Sequence, residues 1–285
     1  MFRIAVRQLR WTVLKPEFYV CVAVGVIGYV FDIILYIRFS LYLGEPINIL
    51  EPFIAFSSNY VTVTISTFAL LFLLSDLPYN AADDTFVLMR TTPRRWLGGK
   101  IIFLIMICFA FYMAVTVVTM LLSAPFGFAA NIWSRPAEIM SFDDPMLSAK
   151  LYMVTFYAPN ILSQFAPIQA WFHSYMLVSL YSAALGSVML TLKILIPKQY
   201  VGLCVVYVIH ALGYLPMLII IGIRPFSLFG NALLRYHCLG DGKATAGNPK
   251  LYSSYFLFAA IIAAAVILAE MFISTRKLNR GDQNG

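Results

Sequence analysis

Long apolar runs separated by short polar segments set the pattern of this chain. Six stretches, at about 17–38, 53–75, 100–123, 169–192, 199–222 and 252–274, are predominantly apolar. A hydrocarbon core about 30 Å thick takes roughly 20 helical residues to cross. Within lipid every backbone N–H and C=O has to be bonded inside its own segment, so each run predicts an α-helix. The alternating apolar-polar dyads of a membrane barrel are absent. The first run follows a basic stretch, as in a signal peptide. It is too long for one, contains Asp32 and ends without a small-x-small cleavage site, so it reads as a retained span. The expected fold is an all-α polytopic membrane protein, with six transmembrane helices in one transmembrane domain, 1–285.

The polar segments have structure of their own. In residues 1–15, Arg3, Arg7 and Arg10 recur at helical spacing, and Phe2, Val6, Leu9 and Val13 are expected on the opposite side. This predicts an amphipathic interfacial helix lying among lipid headgroups; the plainer reading is a basic flank that only sets orientation. Pro16 then marks a bend. Residues 124–168 mix aromatics, prolines and acids, and are expected to form interfacial helices or a small outer cap. Residues 223–251 open semi-apolar and end in Gly- and Asp-rich loop chemistry, which suits a re-entrant or interfacial helix followed by a loop.

Composition fits this picture and adds a direction. The 285 residues are 61% hydrophobic and only 12% charged. Soluble domains are about 25% charged, so soluble and disordered classes are excluded. The net charge of +7 is unevenly placed. Arg3, Arg7, Arg10, Lys15, Arg90, Arg94, Arg95, Lys100, Lys193, Lys198, Arg276, Lys277 and Arg280 crowd one set of short segments, at about threefold the density of the other set. The positive-inside rule then puts both termini in the cytoplasm. The cysteines Cys21, Cys108, Cys204 and Cys238 show no paired spacing, so no disulfide framework or metal site is expected.

The longest cytoplasmic segment, 76–99, carries the most chemistry. Asn80 is a suitable N-cap, Asp83 and Asp84 suit a first helical turn, and Phe86, Val87, Leu88 and Met89 follow before Arg90. Thr91-Thr92-Pro93 ends that helix. Arg94, Arg95 and Trp96 then suit the membrane interface as anchors. Apolar side chains on a cytoplasmic helix fit a docking surface for another protein. They fit equally a helix lying flat on the bilayer.

The order Asp76-x-Pro78, Asp84, Leu88-x-Arg90-Thr91, Arg94-x-Trp96-x-x-Gly99-Lys100 resembles the first cytoplasmic loop of bacterial ABC-transporter permeases of the type-2 export class. The basic N-terminal helix and the six spans are also similar to that class. The resemblance implies a cytoplasmic coupling helix within Ala81–Arg90, with Asp84, Phe86, Val87, Met89 and Arg90 meeting a soluble ATPase. It implies two copies of that ATPase, which would hold the ATP and Mg, and a second permease subunit, identical or related. It also implies a bacterial plasma membrane. This chain itself has no GxxxxGK[ST], no HExxH and no GxSxG, so it is not expected to be an enzyme or to hold a cofactor. Membrane lipids are expected partners; nucleic acid is not.

Asp32, His210 and Glu270 are ionisable groups within apolar runs. Such groups default to functional hypotheses, although a bundle-facing polar contact, an interhelical hydrogen bond and a snorkelling terminus are the plainer readings. The second span opens with a polar face, Ser57, Ser58, Asn59, Thr62, Thr64, Ser66 and Thr67, which either lines a wet pathway or bonds between helices. Asn59, Thr62, Ser66, Tyr207, His210 and Tyr214 on the second and fifth spans, with Tyr60, are candidate lining residues of a translocation route. The other class of reading is a motor-independent six-span secondary carrier or a membrane scaffold.

Overall fold

A computed structural model describes residues 1–77, 91–143, 159–196, 200–219, 227–237 and 250–281. The described residues are mostly helical. In chain order they form α1 (Phe2–Leu14), α2 (Pro16–Leu43), α3 (Glu51–Phe56), α4 (Tyr60–Leu73), α5 (Pro93–Ser123), α6 (Arg135–Glu138), α7 (Pro159–Gln164), α8 (Pro167–Leu195), α9 (Val201–Ile219) and α10 (Leu251–Gly281). A two-residue parallel pair, β1 (Ile47–Asn48) with β2 (Gly127–Phe128), links two of the connections. Gly127 permits it, since a Cβ there would lie 2.7 Å from the Ile47 carbonyl oxygen.

Four helices are long and apolar enough to cross a membrane: Pro16–Leu43, Pro93–Phe126, Pro167–Leu195 and Leu251–Ser274. Three of them begin on proline at the first helical position, where its missing N–H costs nothing. Thr92 caps α5, its Oγ1 accepting from the Arg95 N–H at 3.4 Å. The fifth expected span corresponds to the shorter apolar helix α9.

The run 53–75, expected as one span, is two helices. Ser57 and Ser58 both donate side-chain hydrogen bonds to the Ile54 carbonyl, at 3.1 and 3.2 Å, and Asn59 turns extended. Asn59 Oδ1 then accepts from the Val61 N–H at 3.1 Å and starts α4 afresh. Hydroxyl and amide side chains that bond the local backbone compete with helix continuation. With 14 residues, α4 is about 21 Å long.

α8 is the central post, packing on α3, α4, α5, α9 and α10. Its most apolar window is 78% buried, against 17% for α10. Ser174, Ser179, Ser182, Ala183, Ala184, Gly186 and Ser187 let its neighbours approach closely.

The described parts of two segments expected outside the membrane, 45–52 and 127–138, pack together as a small cap. Its hub is Glu51, fully buried. Tyr36 Oη donates to Oε2 at 2.7 Å, Ser134 Oγ to Oε2 at 2.6 Å, the Ser134 N–H to Oε1 at 2.6 Å and the Asn48 N–H to Oε2 at 3.1 Å. Burial pushes this carboxyl above the ordinary range, and the four donated bonds pull it part of the way back. Asn48 Nδ2 also donates to the carbonyls of Ala130 and Ile132. One carboxylate thus ties α2, α3, β1 and the start of α6.

The stretch Ser227–His237 does not lie over the surface. Phe229, Ala232, Leu233 and Leu234 are buried, and its two short 3-10 turns pack on α8, α9 and α10.

Candidate functional site

The polar residues of 57–67 read as one face in sequence, but they diverge in space. At 100° per residue, Thr62 and Thr64 lie on opposite sides of α4. Asn59 and Thr62 turn to α2, where Asn59 Nδ2 and Thr62 Oγ1 donate to Asp32 Oδ2 at 3.2 and 3.1 Å. Asp32 therefore makes a bundle contact across α2 and α4; Arg38 is exposed. Ser66 and Thr67 turn to the interior. Ser66 donates to the Val63 carbonyl at 3.1 Å. Thr67 Oγ1 and Ser182 Oγ each lie 3.1 Å from the hydroxyl of Tyr112, joining α4, α5 and α8.

Thr64 points a third way, to His210 on α9. His210 Nε2 is 3.0 Å from Thr64 Oγ1, and Nδ1 is 2.6 Å from the Tyr181 hydroxyl. A neutral imidazole offers one donor and one acceptor, and a hydroxyl can serve as either. Both ring nitrogens are therefore satisfied whichever carries the hydrogen. The rings of Phe68 and Phe229 close around it at 5.0 and 4.9 Å. Phe229 belongs to the buried 227–237 stretch, so that stretch helps set the His210 ring.

Beside this histidine runs a groove of about 510 Å³ between α4 and α9. Tyr60, Thr64, Phe68 and Val61, Ile65 line one wall; Val208, His210, Ala211 and Leu212 line the other. Of the expected residues, Tyr60, Thr64 and His210 border it. Tyr207 sits behind, its hydroxyl donating to the Phe68 carbonyl at 3.3 Å. Asn59, Thr62 and Ser66 face elsewhere, and the side chain of Tyr214 lies outside the described residues. The i, i+4, i+8 spacing of Tyr60, Thr64 and Phe68 was the available signal for the α4 wall. Tyr60 and Thr64 were in the expected set; Phe68, one turn further on, was not.

A second histidine closes the cap end. His237 Nδ1 donates to the Leu233 carbonyl at 2.9 Å, and Nε2 is 2.7 Å from Ser254 Oγ on α10. Asn231 Oδ1 lies 2.5 Å from the same Ser254 Oγ, whose single hydrogen serves either that oxygen or His237 Nε2. Both His237 and Ser254 are buried, and their pairing clasps the 227–237 stretch to α10. Burial pulls the His237 imidazole down to about 4, and any charge on His173 pushes it the same way.

The coupling residues Asp84, Phe86, Val87, Met89 and Arg90 lie outside the described residues. Their flanks are inside it. Leu77 at one end and Trp96 and Leu97 at the other are buried. Arg94 and Arg95 are exposed, as are Arg3, Arg7 and Arg10. Trp96 is packed within the protein, with the Lys100 Nζ 5.6 Å from its ring centroid. Glu270 is half-buried on α10. Among the described residues no group of three His, Cys, Asp or Glu side chains is placed to hold a metal. No family model, no curated protein and no solved structure matches this chain.

Proposed function

We propose that this chain is the transmembrane permease subunit of an ATP-driven exporter of the ABC type. It would act with a second permease subunit and two copies of a soluble ATPase, and move a peptide-like, lipidic or other amphipathic cargo. Six spans with both termini in the cytoplasm of a bacterial plasma membrane belong to the same reading. The observation that carries it is the 76–100 segment, with its motif order. The burial of Leu77, Trp96 and Leu97 supports it. A loop whose two ends are fixed in the core passes a displacement into α4 and α5 instead of absorbing it. The groove beside His210 lies between α4 and α9, the helices assigned to the route.

The test is purification in mild detergent. A P-loop ATPase is expected to accompany the native chain, and Phe86→Asp with Met89→Asp is expected to release it, at least tenfold by quantitative blotting, without loss of membrane insertion. Retention of the ATPase by that double variant removes the coupling assignment. Absence of any ATPase from the native preparation removes the permease reading.

One observation favours the second reading, a motor-independent carrier. The α3–α4 break at Ser57–Asn59 stands beside the Asp32 carboxylate, and carriers build ion and substrate sites at broken helices. On that reading Asp32→Asn abolishes transport in proteoliposomes that contain no ATPase. On the exporter reading such vesicles show no transport for either protein.

A further inference from the structure

Asp32 commits only half of its carboxylate to the bundle. Asn59 Nδ2 and Thr62 Oγ1 both donate to Oδ2, and Oδ1 takes no hydrogen bond from the described residues. Both donors are neutral, so they orient the charge without cancelling it. Asp32 lies about 24 Å along α2 from Pro16, well inside a helix long enough to span a membrane.

The charged groups of the neighbouring elements do not answer this carboxylate. On α2, Glu17 is in the first turn and Arg38 is exposed. α4 carries no charged residue. The basic residues of α1 and of the start of α5 lie with Pro16, at the far end of α2. On α3, Glu51 is itself an acid, enclosed by the cap. On α6, Arg135 is paired with Glu138 and Asp143. An ionised group at membrane depth is costly without a counter-charge.

The seam between α2 and α4 is open beside it. Gly28, one turn before Asp32, lets the helices close, since a Cβ there would lie 3.3 Å from Thr62 Cα. Asp32 itself is only half-buried. Phe31 and Val61, the sequence neighbours of Asp32 and Thr62, are 66% and 44% exposed, and Leu35 is partly buried. One carboxylate oxygen thus stands among apolar side chains on the outer side of the bundle.

We infer that Asp32 binds a small cationic amphiphile dissolved in the membrane, with its ammonium on Oδ1 and its apolar body along Phe31, Leu35 and Val61. An ammonium N–H on a carboxylate is a charge-assisted bond, and it strengthens where water is scarce. A neutral amphiphile would leave the charge unanswered, and an anionic one would be repelled. The bonds from Asn59 and Thr62 stay on Oδ2 while Oδ1 is occupied, so binding needs no rearrangement of α2 against α4. As a cargo site this narrows the amphipathic cargo to cations and rests on the permease reading; the binding itself requires no ATPase.

The test uses the full chain in phosphatidylcholine nanodiscs with two photoreactive probes, a dodecylammonium and a dodecanol that carry the same diazirine in the alkyl chain. Adducts on Phe31, Leu35 and Val61 are measured by mass spectrometry relative to those on Phe256, which is exposed on α10. The ammonium probe is expected to label the seam about tenfold more than the alcohol. Excess unlabelled dodecylammonium should displace it, and Asp32→Asn should bring it down to the alcohol level. Asparagine can keep an acceptor oxygen toward Asn59 and Thr62, and the competition needs no mutation. Equal labelling by the two probes would mean that Asp32 holds a proton instead, and would overturn the inference. Labelling of Phe256 without labelling of the seam would mean that a protein chain, such as a second copy, covers it; that also overturns the inference. So does an ammonium excess that survives in Asp32→Asn. None of these outcomes depends on whether an ATPase accompanies the chain.

Discussion

Glu51→Ala is expected to lower the thermal unfolding midpoint in detergent further than any other single cap substitution, at a cost of about 3 kcal/mol or more. The substitution removes the acceptor of four donors, the hydroxyls of Tyr36 and Ser134 and the N–H groups of Ser134 and Asn48; the two hydroxyls, 3.2 Å apart, still have each other. The two backbone donors have no other role to adopt, and the site is closed to water. A buried donor without an acceptor costs roughly 1–3 kcal/mol. Glu51→Gln should fall between the native protein and Glu51→Ala, because it keeps one acceptor but turns an amide NH₂ toward other donors. Tyr36→Phe removes a donor together with its need and should cost only about 1 kcal/mol. An Ala variant that melts with the native protein would show that the cap is not held by this carboxylate.

The second large effect is on pH dependence. His237 is held down to about 4, against an ordinary value near 6.5. As pH falls below about 6.5 the unfolded chain takes up a proton that the buried ring refuses. Stability is therefore complete above that pH and declines toward pH 4, by about 3 kcal/mol in all. Glu51 acts in the opposite sense. Its carboxyl is raised, so the native state takes up its proton first and gains stability as the pH falls. The measurement is accordingly the difference in melting slope between native protein and His237→Gln from pH 7 to pH 4. The variant is expected to start less stable, through loss of the bonds to Leu233 and Ser254, but to lose less on acidification. Parallel slopes would mean that His237 is protonated in the native state, or is open to water in it.

How far the sequence reached can be judged residue by residue. The apolar runs that became α2, α5, α8 and α10 were legible because span length is a property of a single segment. Pro16, Pro93 and Pro167 mark three of the helix starts, although the start of α5 was expected near residue 100. The break at Ser57–Asn59 was not legible. The run around it is apolar enough to pass for one span, and the competing bonds to Ile54 appear only when the local backbone is drawn. Glu51 was missed altogether. A lone acid in an outer segment looks solvated, and two of its partners, Tyr36 and Ser134, are 15 and 83 residues away. His210 was singled out because an ionisable group in an apolar run is conspicuous. Its pairing with Tyr181 and Thr64 was not legible, because each lies on a different helix.

Composition and periodicity alone thus determined that this chain builds apolar helices of membrane length and begins with a cationic amphipathic one. Burial of apolar area and backbone satisfaction act within a segment, and a segment's own residues state them. Which face each helix turns inward was decided only by tertiary structure. That choice sent Thr62 to Asp32, Thr64 to His210 and Thr67 to Tyr112, and placed Phe2 and Val6, expected opposite the arginines of α1, beside them. Side-chain hydrogen bonds and close glycine contacts join groups remote in sequence, so they exist only once the helices have packed.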